Sequence, residues 1–85
     1  MHNLILTEKE LWKLFRPKLI CNLSGLLPYT TDAERDTAER SIRQEFKRNA
    51  FEAGGIAVII DEPIFFKNGT REIFLSAQVY TGESR

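Results

Sequence analysis

Apolar positions follow two different periods along this chain. Up to about residue 53 they recur every three or four residues, and from Ile56 onward they alternate. The first period predicts helices and the second predicts strands, because side chains repeat every 3.6 residues around a helix and every 2 along a strand. In the first helical stretch Leu11, Phe15, Leu19, Leu23 and Leu26 share a face, with Trp12 beside them and Lys9, Lys13 and Arg16 opposite. Thr7-Glu8-Lys9-Glu10 heads it as a capping box, in which the threonine hydroxyl accepts from a backbone N–H and the glutamate reaches back. Pro17 has no N–H to donate and its ring clashes one turn back, so the helix should kink or split into pieces near 8–16 and 18–26. Gly25 and Pro28 mark its end. Leu4-Ile5-Leu6 reads either as a lead-in to this helix or as an edge strand over residues 3–6.

The second helix is the clearest element. Thr31-Asp32-Ala33-Glu34 repeats the capping box, and Ala38, Ile42, Phe46, Ala50 and Ala53 form a narrow apolar stripe. Asp32, Glu34 and Asp36 lie early and Lys47 and Arg48 lie late, which complements the helix dipole. Asp36–Arg40, Glu39–Arg43 and Arg48–Glu52 are spaced i,i+4 for ion pairing. Gly54-Gly55 should stop the helix, since glycine accepts the left-handed cap conformation.

The alternating stretch predicts a β-hairpin. Asn68-Gly69 is a strong hairpin-turn signal, because a two-residue type I′ loop needs φ > 0 at both positions. Register counted from that turn places Ile64 opposite Ile73, Ile60 opposite Ala77 and Val58 opposite Val79. Ile73, Leu75, Ala77 and Val79 would then form one buried face with Val58, Ile60 and Ile64. Glu62 would intrude on that face and Pro63 cannot donate to the ladder, so a bulge or break is expected at Asp61–Pro63. Thr81–Arg85 reads as a frayed tail.

These elements make a single α+β domain over residues 1–85. Two helices, the first kinked at Pro17, pack on one face of an antiparallel β-hairpin, which becomes three-stranded if residues 3–6 form the edge strand rather than the helix lead-in. A chain of 85 residues buries a modest core, so a partner chain is a reasonable source of further stability. With one cysteine and one histidine, neither an internal disulfide nor a Cys/His metal cluster is expected. Basic and acidic residues number 12 each, so no whole-protein field gathers nucleic acid. No apolar run is long enough for a membrane span and no signal peptide is recognised, which together favour a cytoplasmic setting.

No segment carries a catalytic or cofactor motif, so no catalytic residue, metal or small-molecule cofactor is expected. Asp61 and Glu62 are adjacent carboxylates, but the lysine and further acid of a nuclease centre are not organised around them. Cys21 lacks a neighbouring base and reads as a small packing residue. The outer face of the hairpin is more informative. Phe65, Phe74 and Tyr80 project there with Gln78 between them, and two helices on the other face leave them uncovered. The expectation is a non-enzymatic interaction or regulatory protein that binds a protein partner, or itself as a homodimer, through Phe65, Phe74, Gln78 and Tyr80. Phage- or mobile-element-type inhibitors of host or defence complexes belong to this class. The alternative is a nucleic-acid-binding protein using Lys13 and Arg16 of the first helix with Arg40, Arg43 and Lys47 of the second, provided the two basic faces adjoin.

Overall fold

The computed structural model describes residues 6–67 and 69–85. The order of elements is α1 (Glu8–Leu14), β1 (Phe15–Tyr29), α2 (Asp32–Glu52), β2 (Ala57–Ile60), β3 (Ile64–Phe66) and β4 (Arg71–Ser84). All four strands join one antiparallel sheet. β4 is central, β1 lies on one side of it, and β2 and then β3 lie on the other. Because β1 and β2 each run antiparallel to β4, they are parallel to each other, and α2 crosses over β4 to connect them. That crossover places the helix on the central strand.

The main correction to the sequence reading is β1. The kinked helix ends at Leu14, and the segment expected as a second helical piece over 18–26 is the middle of a 15-residue strand. The fold is therefore not two helices on a hairpin but one long helix and one short helix on a sheet that β1 and β4 dominate. Spacing explains the misreading. Phe15 and Leu19 are four apart, and a spacing of four satisfies period 2 as well as period 3.6, so they share a face in the strand too. The prolines break the tie. Pro17 and Pro28 exclude a regular helix but are tolerated on an edge strand. The third strand thus comes from residues 15–29. Residues 3–5 of the proposed edge strand lie outside the described residues, and Leu6 belongs to no strand.

The helix termini follow their local codes. Thr7 and Thr31 each accept from the backbone N–H three residues on, at 3.1 Å, and Glu10 and Glu34 reach back to complete both capping boxes. α2 ends in a Schellman motif: Gly54 adopts φ +81°, its N–H donates to Phe51, and the Gly55 N–H donates to Ala50. Ala38, Ile42, Phe46 and Ala50 of α2 are buried against Ile73, Leu75, Ala77 and Val79, all four of which are fully buried. Cys21, Leu23 and Leu27 of β1 flank this core. Ala53, expected at the end of the apolar stripe, is exposed.

The irregularity expected at Asp61–Pro63 is present. Ile60 lies opposite Ala77 and Val58 opposite Val79, but Ile64 lies opposite Phe74 rather than Ile73, so one extra residue is absorbed between β2 and β3. The turn differs accordingly. Phe66 lies opposite Glu72 and not Arg71, which a two-residue loop would have required. Gly69 takes φ +80°, while Asn68 lies outside the described residues. The slip of one residue moves every β3 side chain to the other face of the sheet. Ile64 is consequently 51% exposed instead of entering the core. The expected frayed tail is also ordered: β4 continues to Ser84, and Arg85 donates from its backbone to Leu14 and from Nε to Trp12. These bonds satisfy carbonyls at the end of α1.

Candidate protein-binding face

Cross-strand register decides which residues share the face that α2 leaves open. Alternation along β4 puts Glu72, Phe74, Ser76, Gln78 and Tyr80 there. From β1, their partners Leu26, Ser24, Asn22 and Leu19 join them, and from the other edge Ile64, Phe66 and Ile59 do so. This face has three zones. At the Tyr80 end, α1 packs on the sheet through an edge-on contact between the Trp12 and Tyr80 rings, with centroids 6.4 Å apart. Leu11 of α1 and Ala57 beside Tyr80 are both fully buried here, apart from the main core. In the middle, Asp61 at the bulge accepts from Ser76 at 3.0 Å and from Gln78 at 2.9 Å, while its own N–H donates to the Ser76 carbonyl. At the turn end, Leu26 and Ile64 flank Phe74 on its two sides, and Phe66 meets Phe74 edge-on at 6.5 Å. Leu26, Ile64 and Phe66 are 50%, 51% and 41% exposed.

Of the residues singled out in the sequence, Phe74 and Gln78 lie on this face as expected, but Gln78 is engaged by Asp61. Tyr80 also lies on it, beneath Trp12. Phe65 does not. The register slip places it opposite Ile73 on the α2 side, where the Arg35 guanidinium lies over its ring at 5.4 Å. Phe66 takes the place on the open face that the two-residue turn would have given to Phe65. Leu26 was missed because it was read as a helical residue. The signal that could have found it is the alternation of Cys21, Leu23, Gly25 and Leu27 with Asn22, Ser24 and Leu26.

The basic residues are dispersed. Lys13 ends α1, while Arg16 lies on β1 opposite Glu83. Arg40, Arg43 and Lys47 lie on α2, across the sheet from α1. The Arg43 Nε donates to Glu39 at 2.9 Å, and Arg40 and Arg43 share a shallow cleft with Asp36 and Glu39, so acids and bases alternate there. Arg48 pairs with Glu45 rather than with Glu52. Glu34 is the acid with the clearest electrostatic shift: hydrogen bonds from the Thr30 hydroxyl, the Thr30 N–H and the Thr31 N–H hold its carboxyl below its ordinary range.

Among the described residues no group of three histidine, cysteine or acidic side chains is placed to hold a metal ion, and no helix is long and apolar enough to cross a membrane. No family model, curated protein or solved structure matches the chain.

Proposed function

We propose that this chain is a non-enzymatic binding protein that engages another protein through the open sheet face and acts by occlusion or recruitment, as an inhibitor of a larger complex would. The observation that carries this reading is the contiguous cluster of Leu26, Ile64 and Phe66 around Phe74, exposed on the face of the sheet opposite the core that α2 covers. A soluble partner surface is the natural cover for such a patch, because aromatic and aliphatic anchors ringed by polar groups are what interface centres are made of. Asp61, Ser76 and Gln78 supply the polar border on one side.

The test is affinity capture from the native host with the wild-type chain and with Leu26→Ser/Phe66→Ser. Both side chains project away from the core, so circular dichroism should show an unchanged fold. The wild type should retain a partner, and the double variant should bind it at least about tenfold more weakly, the loss expected when two anchors are truncated. A folded variant that keeps the wild-type complex would exclude this face as the binding surface.

A further inference from the structure

The two edges of the sheet are treated differently. The β2–β3 edge is short, bulged, and carries Asp61, Glu62 and Pro63, all of which discourage another strand from pairing there. The β1 edge is 15 residues long, and its segment Cys21–Leu27 contains no charge and no proline.

The hydrogen-bond pattern shows which groups this edge offers. Ile56 and Asp61 donate to the carbonyls of Tyr80 and Ser76, so the even-numbered residues of β4 turn their backbone groups toward β2. Its odd-numbered residues therefore face β1, as the Arg85 N–H donating to Leu14 confirms at the strand's end. Across the register, Cys21, Leu23, Gly25 and Leu27 bond to β4, while Asn22, Ser24 and Leu26 point their N–H and C=O groups outward. Pro17 and Pro28 occupy outward positions too, where a missing N–H leaves the internal ladder intact. Among the described residues no strand pairs on this side of β1, and the run is bounded by Pro28 at one end and by the bulge between Leu19 and Cys21 at the other. Its centre is Ser24.

We propose that a second copy of this chain pairs on this edge, β1 antiparallel to β1, about a two-fold axis at Ser24. In that register Ser24 meets Ser24 and Asn22 meets Leu26, so all three outward residues of each copy lie in hydrogen-bonded pairs. On the α2 side, Leu23 falls opposite Gly25 and Leu27 opposite Cys21, a large residue against a small one at each position. Gly25 is small because of Ile42, whose Cγ2 would lie only 2.8 Å from an added Cβ. A cleft of about 300 Å³ runs between this strand and α2, floored by Leu23, Leu27, Ile42 and Phe46 and rimmed by Ser41 and Glu45. The partner's Leu23 and Leu27 are placed to cover it. The two sheets join into one with β2 and β3 at its protected outer edges. This contact shares Leu26 with the open-face cluster, but it is made by the β1 backbone and does not use the Ile64, Phe66 or Phe74 side chains.

The experiment is sedimentation of the full chain at tens of micromolar, combined with oxidative cross-linking. The wild type should sediment at twice the 9.8 kDa chain mass. Ser24→Cys in a Cys21→Ser background should form a disulfide-linked dimer, because facing residues in such a pair have Cα atoms about 5.5 Å apart, within disulfide reach. Asn22→Cys in the same background should not, since the two-fold separates its copies by roughly 13 Å. Ser24→Pro, which removes an outward N–H, should be a folded monomer. A wild-type monomer would overturn the proposal. So would a dimer in which Ser24→Cys fails to cross-link, or in which Asn22→Cys cross-links equally well.

Discussion

Glu34 shows how much one side chain does at a helix start. Its carboxylate accepts from Thr30 and Thr31 while Thr31 accepts from the Glu34 N–H, so three residues settle the entry into α2. Because these bonds lower the Glu34 pKa, the unfolded chain binds more protons than the folded one at pH between the lowered and the ordinary carboxylate pKa. Stability from Glu34 is therefore full above the ordinary carboxylate pKa and falls as pH drops through the lowered one. Glu34→Gln should be less stable than wild type at neutral pH, and the difference should shrink in acid; thermal melts across that range check it. Thr31→Ala should cost about 1 kcal/mol, the usual value of a lost N-cap, in urea unfolding. Gly82 is a second decisive residue for a different reason. A Cβ there would lie 2.3 Å from the Arg16 carbonyl oxygen, which is backbone and cannot move aside. Gly82→Ala should destabilise the chain by roughly 1–3 kcal/mol, the cost of overpacking, by the same measurement. The capping boxes were legible from four residues each. The close approach at Gly82 was not, because it depends on a strand some 65 residues earlier in the chain.

At the scale of elements, α2 and the β2–β4 register were legible, and β1 was not. α2 carries a stripe, a start signal and a stop signal that all agree, and consistency of that kind is what makes an element readable. β1 has leucines at spacings that suit either period, and a helix preceding it in the same pattern. Strand and helix make opposed predictions for proline. In the strand, Leu23→Pro removes a bond to β4 and should unfold the chain, whereas Ser24→Pro removes only an outward N–H and should leave the circular dichroism spectrum unchanged. In a helix both substitutions would be disruptive. The bulge at Asp61–Pro63 was foreseeable from Glu62 and Pro63, but its effect on the turn was not. The extra residue moved Phe65 to the α2 side and Phe66 to the open face.

For the whole molecule, the long antiparallel pair β1–β4 sets the shape. β4 at about 3.3 Å per residue spans most of the 48 Å long axis. The two proposed contacts lie one across the open face over β4 and one along the backbone of the β1 edge, and they meet at Leu26. They should be separable in experiment: Leu26→Ser/Phe66→Ser should weaken partner capture, and Ser24→Pro should abolish self-association while capture persists. The sequence by itself determined the α+β class, the ends of α2, the buried face of β4 and the place of the bulge, because each rests on signals within a few residues of one another. Tertiary structure alone decided that residues 15–29 are a strand, which phenylalanine faces outward, and where α1 lies. A segment that satisfies both periods is assigned by the partner it bonds to. For β1 that partner is β4, about 55 residues away along the chain, and pairing with it leaves the backbone groups of Asn22, Ser24 and Leu26 facing outward at the sheet edge.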